Sequence, residues 1–407
     1  MAEFWQWRGD LPSGSGYVML KDGAGRQGMN TVFGDAITAS RITQINVQFQ
    51  YNLASYDVTT STVDTGTTTQ SEHTAIASTG GGVSGSATIQ SVDSLRYIPG
   101  REGYALFTTI FSTPVDGVNQ KIGIYDDENG FYLGFIGLDF LIGRRRNGMD
   151  YLTYQSEFNL NKLDGSGPEW MAVDFTKGNV WRITYGWLGF AAINFEVMEK
   201  DGTWTTFHKI EYPNNFTETN IGNPVLPMRM KVLKTNGTAT ANVTLKTGSW
   251  NCGLVGDIND CCNRYQSFAA TAAITAANSL INIFTLKSVS SFQALTNKIR
   301  TKMLFLSSAC DGTKLTSIRL IKNATLGVTA TYTYIDSSNS TIQYDTTSTT
   351  VSSGTTLLTL QLGKTDSRTV DLEELFIAMY PSDTLTFAAI SLLATDVSIS
   401  TRWAEEF

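Results

Sequence analysis

Lys121-Ile122-Gly123-Ile124-Tyr125 and Phe131-Tyr132-Leu133-Gly134-Phe135 carry apolar side chains at alternate positions, joined by Asp126-Asp127-Glu128-Asn129-Gly130. A helix returns to the same face every 3.6 residues, whereas a strand turns successive side chains to opposite faces. Asn-Gly at the tip accepts the positive φ angles of a tight turn, so this segment predicts a β-hairpin. The same grammar runs along most of the chain. Ile45-Asn46-Val47-Gln48-Phe49-Gln50-Tyr51 alternates, and so does Ala105-Leu106-Phe107-Thr108-Thr109-Ile110-Phe111. Val180-Trp181-Arg182-Ile183-Thr184-Tyr185 and Ala191-Ala192-Ile193-Asn194-Phe195-Glu196-Val197 flank Gly186-Trp187-Leu188-Gly189. Asp201-Gly202 makes the next turn before Trp204-Thr205-Thr206-Phe207-His208-Lys209-Ile210. The threonine-rich tract 59–85 suits twisted hairpins, because β-branched side chains fit a pleated surface. Short strands and turns at this spacing predict a sandwich.

The second half repeats the pattern. Ser291-Phe292-Gln293-Ala294-Leu295 is expected to start it, and Val397-Ser398-Ile399-Ser400-Thr401-Arg402-Trp403 to close it. Residues 370–380 are the one fair helix candidate and fit a strand equally well. The fold class predicted is all-β: two antiparallel β-sandwiches, jelly-roll or lectin-like, with an extended N-terminal arm. The divisions are residues 1–41 for the arm, 42–255 for a Trp-rich sandwich, 256–264 for a linker with a cysteine cluster, and 265–407 for the second sandwich.

Composition supports cores rather than ionic surfaces. Of 407 residues, 42% are hydrophobic and only 16% charged, against about 25% charged in an average soluble protein. The net charge of −7 argues against neutralising a phosphate backbone, so no nucleic-acid partner is expected. No apolar run reaches the roughly 20 residues of a membrane helix. The longest candidate, 372–393, is broken by Pro381-Ser382-Asp383, so no membrane partner is expected. The start of the sequence shows neither the basic nor the apolar region of a cleavable signal peptide. Cys252, Cys261, Cys262 and Cys310 lack paired zinc-ligand spacing, which favours free thiols over a metal or a disulfide.

Candidate chemistry is thin. His73 and His208 are the two histidines, and neither sits in a nucleophile motif; a structural role for His208 is favoured over a base. Asp126, Asp127 and Glu128 offer calcium-type oxygens, with a solvated hairpin tip as the simpler reading. Asp139, Asp150, Glu157 and Glu169 could supply a glycosidase pair, with nothing to choose among them. Trp170, Trp181, Trp187 and Trp204 suit a sugar-stacking platform or, better, a core. No catalytic residue, cofactor or metal is assigned, and the chain is expected not to be an enzyme. Candidate interaction residues are the arm aromatics Phe4, Trp5 and Trp7, and the basic run Arg144, Arg145 and Arg146, which could contact nucleic acid, an acidic neighbour or an anionic glycan but is read first as solvated or intersubunit salt-bridging.

Val32-Phe33-Gly34-Asp35-Ala36-Ile37-Thr38-Ala39-Ser40, followed by Gln48-Phe49-Gln50-Tyr51, resembles an N-terminal segment of virion proteins from tailed phages and other large DNA viruses. In that family an "AFGRLRVS" stretch precedes "FDSQFQY". Gly34 and Ser40 keep the frame here, while the basic residues between them are lost. Arg96-Tyr97-Ile98-Pro99-Gly100, the hairpin from Ile122 to Gly130, Leu163-Asp164-Gly165-Ser166-Gly167-Pro168, Trp187-Leu188-Gly189 and Asn223-Pro224-Val225-Leu226-Pro227-Met228-Arg229 follow in the family's order. Ile342-Gln343-Tyr344-Asp345-Thr346-Thr347 resembles its second module. The resemblance implies a virion structural protein: a capsid decoration, spike, fibre or tail component acting by subunit contacts. Its expected partners are itself, as a homotrimer, and other virion proteins. A host-adhesion protein that binds a surface glycan through the first sandwich is the alternative. Only Gly100, Gly130 and Gly165 carry over, as turn glycines.

Overall fold

A computed structural model of the chain describes residues 40–166, 172–186, 188–256, 263–275 and 278–407. These residues form antiparallel sheets, with two single-turn 3-10 segments at Gln155–Glu157 and Glu373–Leu375 and no α-helix among them. The chain separates into two compact units, Met1–Ile258 and Asn259–Phe407. The arm aromatics Phe4, Trp5 and Trp7 lie outside the described residues.

In the first unit, a nine-stranded sheet runs Trp204–Ile210, Ile193–Met198, Asn179–Tyr185, Glu102–Phe111, Thr244–Thr247, Thr74–Ser78, Thr67–Ser71. Ser249–Val255 also pairs with Glu102–Phe111 and carries Arg41–Gln48 on its other side. A seven-stranded sheet runs Met149–Tyr154, Asp139–Arg146, Gly130–Ile136, Val118–Tyr125, Leu226–Lys234, Ser86–Leu95, Val58–Val63. The alternation read from the sequence decides which face is covered. Phe131, Leu133, Phe140 and Ile142 from the second sheet share one core with Phe107, Trp181, Ile183 and Phe195 from the first. Ring contacts bridge the sheets: Phe111–Phe135 at 5.4 Å, Phe131–Tyr185 at 5.2 Å and Phe140–Trp181 at 5.9 Å between centroids. The predicted hairpin is present, with Tyr125 paired to Gly130. The three carried-over glycines have φ of 85°, 130° and 85°, which suits turns that other residues resist.

A small apolar cluster also lies on the outer face of the seven-stranded sheet. Gly143 stands opposite Tyr132, and a Cβ there would come within 2.1 Å of the tyrosine ring. The ring of Tyr132 therefore lies against bare backbone, beside Tyr125 and Leu141.

The second unit pairs Asn263–Ile274, Thr395–Glu406, Arg300–Cys310 and Ser367–Asp371 in one sheet. A six-stranded sheet runs Thr333–Tyr334, Ile342–Asp345, Ile281–Ser288, Thr384–Ser391, Thr316–Lys322, Thr355–Leu362. Val397, Ile399 and Trp403 are buried along the closing strand while Asp396, Ser398 and Arg402 are exposed. One sequence expectation is corrected here. Gln293 and Ala294, at φ of 49° and 64°, form a turn between Ser291–Phe292 and Leu295–Thr296 and do not open the unit. The strands that precede them, Asn263–Ile274 and Ile281–Ser288, were missed: alanine supplies the first with little apolar contrast between its faces. Residues 370–380 contain the end of one strand, a 3-10 turn and the short strand Ala378–Met379.

Candidate functional site

The apolar row of the Asp139–Arg146 strand runs Phe140, Ile142, and its next position on that side is Arg144. The strand turns at Asn147-Gly148, whose φ angles of 49° and 79° are those of an Asn-Gly hairpin tip. Its partner then sets Tyr151 directly opposite Arg144. On the other sheet, Phe195 pairs with His208 but Glu196 pairs with Thr206, so Phe207 is an inserted residue. Such a bulge re-aims the side chains around it; here Phe207 and His208 are both buried. After this strand, residues 211–218 form an exposed loop closed by its own bonds. Tyr212 donates its hydroxyl to the Glu218 carbonyl at 2.7 Å, and the Asn215 amide donates to the Glu211 carbonyl at 2.6 Å.

Between these parts lies a cleft of about 560 Å³. Arg144, Tyr151 and Thr153 line one side, and His208, Lys209, Glu211, Tyr212, Asn215, Phe216 and Glu218 the other. Phe216 stacks on the buried Tyr212 ring at 4.3 Å and 17° while remaining 49% exposed. Tyr151 is 43% exposed. Two aromatic surfaces therefore open to solvent beside amide, ammonium and carboxylate groups.

The three consecutive arginines behave differently. Arg145, on the outer face, donates to the Asp127 carbonyl at 2.7 Å and pairs with Asp150 at 3.2 Å. Arg146 pairs with Glu218. Arg144 is buried, donates to the Asn220 carbonyl at 2.7 Å, and lies 4.0 Å and 5.3 Å from the ring centres of Tyr151 and Tyr212. Each of the three is held by its own chain, Arg145 and Arg146 while partly exposed and Arg144 while buried.

Other sequence candidates fall elsewhere. Asp126 caps its turn, accepting the Glu128 and Asn129 backbone N–H groups at 2.8 Å each. Asp127 accepts from Arg229 at 2.6 Å, which holds its carboxyl below the usual range. This tip is a bonded network, not a set of free oxygens. Asp150 bridges Lys121 and Arg145, Glu157 accepts the Tyr154 N–H, and Glu169 lies outside the described residues. The cleft's carboxylates are instead Glu211 and Glu218. Trp181 is wholly buried, donating to Thr109 at 2.7 Å, and Trp204 lies under Arg182 at 4.4 Å; Trp170 and Trp187 are not described. Among the described residues no cluster of three or more His, Cys, Asp or Glu side chains is arranged for a metal. Cys252 and Cys310 are free and buried, and burial pushes the Cys252 thiol up to about 12. Sequence reasoning missed Tyr151, Tyr212, Asn215 and Phe216. The available signal was Tyr212-Pro213-Asn214-Asn215-Phe216, a loop with aromatics at both ends.

His208 accepts the Asn159 backbone N–H at its Nδ1, 3.3 Å away, and burial holds its pKa below the ordinary value, with Glu157 acting the other way. An accepting Nδ1 requires the neutral ring with its proton on Nε2.

No protein-family model and no curated protein matches the chain. Similar solved structures include a glycoside hydrolase family protein from Mycobacterium thermorestibile, at 11% identity over 51% of this chain and 98% of that one, with a TM-score of 0.37. A legume lectin-like domain from Entamoeba histolytica is similar at 13% identity over 48% and 89%, with a TM-score of 0.29. The carbohydrate recognition domain of Emp46p is similar at 8% identity over 50% and 96%, with a TM-score of 0.31. The expectation that the chain is not an enzyme is corrected by this set, in which glycoside hydrolases stand beside lectins. The missing nucleophile–histidine motif never bore on that chemistry, which needs two suitably spaced carboxylates.

Proposed function

We propose that the first sandwich binds carbohydrate in the cleft between the Asp139–Arg146 hairpin and loop 211–218. The observation that carries this reading is the exposed Phe216 ring, backed by Tyr212, in a cleft also lined by Tyr151 and by the polar side chains of Lys209, Glu211 and Asn215. A pyranose has apolar C–H faces and a rim of hydroxyls, so it needs both kinds of surface at once. The volume also falls within the roughly 300–1,000 Å³ of small-molecule sites. A glycan array with the whole chain, compared with Phe216→Ala, tests it. The expected result is binding that weakens up to about tenfold in the variant, the usual worth of an aromatic contact. Binding indifferent to Phe216, or none to any glycan, overturns the reading. New reducing ends in the same incubation would mark hydrolysis rather than retention.

A virion setting, with the chain as a homotrimer, is a second proposal, supported by the ordered sequence motifs shared with virion proteins. Mass spectrometry of purified particles whose genome encodes this sequence should find the chain, and light scattering should give a trimer. Particles without it end that reading.

A further inference from the structure

Two arginines are buried among the described residues, Arg144 and Arg229. Arg229 has a carboxylate, Asp127, at 2.6 Å, and a second acceptor in Gln90 at 2.7 Å. Arg144 has the Asn220 carbonyl and two tyrosine rings, and no salt bridge. Glu218, the carboxylate whose charge acts on Arg144, is bonded to Arg146 and is itself two-thirds exposed. Ring faces attract a cation but take up none of its N–H donors. Arg144 therefore keeps unmatched donors at the wall of an open cleft. Its burial without a carboxylate also lowers its pKa from the ordinary arginine value, against the pull of Tyr212 and Tyr151.

A guanidinium with one nitrogen fixed on a backbone carbonyl and its other donors open to the cleft is held ready for an arriving anion. The guanidinium is planar, and its paired N–H groups match the two oxygens of a carboxylate. Phe216 and Tyr151 stand within the same cleft to receive the ring that carries such a group.

We propose that the cleft selects an acidic glycan, whose sugar carboxylate is bound by Arg144. This deepens the carbohydrate reading and rests on it. The remaining charged and titratable groups of the cleft, Lys209, His208, Glu211 and Glu218, would then orient the rest of the sugar.

The test uses the whole chain, a uronic-acid oligosaccharide, and the methyl ester of that same oligosaccharide, with affinities measured by calorimetry. The acid should bind at least about tenfold more tightly than the ester, as a charge-assisted bidentate pair implies. Arg144→Met should abolish that preference, so that acid and ester bind alike, and Arg144→Lys should restore only part of it. Circular dichroism shows whether each variant is folded. If Arg144→Met does not fold, the wild-type ratio of acid to ester at low and high salt still decides. Equal binding of acid and ester by the wild type overturns the acidic selection and leaves the carbohydrate reading standing. Binding of neither, in a protein that recognises no glycan on the array, overturns both.

Discussion

Each sandwich buries a charged side chain, and the two are treated in opposite ways. In the second sandwich Glu405 is fully buried and saturated by its own chain. It accepts from the Ser340 hydroxyl at 2.6 Å, the Thr341 N–H at 2.6 Å, the Thr341 hydroxyl at 2.8 Å and the Trp403 indole at 3.1 Å. In the first sandwich Arg144 is buried almost as deeply but is matched to one carbonyl and two ring faces. Burial of charge does not itself mark a site. What separates the two is the bonding capacity left over, and whether an open space adjoins it. Glu405 has a structural task, since a carboxylate with its lone pairs filled holds a loop to a strand. Arg144 has donors that face the open cleft, where a ligand can take them up.

That contrast can be broken by substitution. The largest effect is expected for Trp403→Ala, which empties a fully buried site and strips a donor from Glu405. A cost of about 3–5 kcal/mol follows from aromatic-to-alanine changes in cores, read as a lower urea midpoint for the second unit. Glu405→Gln keeps the shape but turns an amide N–H toward the Thr341 donors. A loss of about 1.5–3 kcal/mol is expected, the worth of bonds to a charged group; an unchanged midpoint would remove Glu405 from its structural role. Arg144→Met is the counterpart in the first sandwich. The change leaves the buried Asn220 carbonyl without its donor but also removes a charge that has no carboxylate partner, so a loss of about 1 kcal/mol is expected, smaller than for Glu405→Gln. A loss as large as that of Glu405→Gln would show that Arg144 is structural after all.

The smallest effect is a pH slope. His208 has its folded pKa lowered from 6.5 by burial, so the unfolded chain binds the proton first as pH falls. The stability this residue contributes is full above the unfolded pKa and declines as pH drops below about 6.5. Urea midpoints of the first unit at pH 7 and pH 5 should differ less in His208→Gln than in wild type.

Much of this architecture was legible in advance because strand alternation is a local property. The hairpin from Ile122 to Phe135 needed no tertiary information: its apolar positions and its Asn-Gly tip sit within fifteen residues. Where local contrast is weak the reading failed. Asn263–Ile274 carries alanines in adjacent pairs, at 269–270 and 272–273, in place of a clear apolar–polar alternation, and its pairing with Thr395–Glu406 identifies it as a strand. Ser291-Phe292-Gln293-Ala294-Leu295 looks like a strand by composition, yet the backbone reverses at Gln293 and Ala294.

The site was legible only in fragments. Arg144 was visible as a member of a basic run, and His208 as one of two histidines. That Arg144 alternates onto the side of Phe140 and Ile142 follows from strand parity, but what it meets there does not. Tyr151 comes from the neighbouring strand, Tyr212 from a loop 68 positions away along the chain, and Asn220 from beyond that loop. The bulge at Phe207 shifts the parity on which any reading of His208 depended.

The sequence by itself determined that the chain is β-rich, where its tight turns fall, and which face of most strands is apolar, because these are set by neighbours along the chain. Only the tertiary structure decided which charges are satisfied and which are left over. That depends on carbonyls and rings delivered from distant strands, and on where two sheets end without closing on each other.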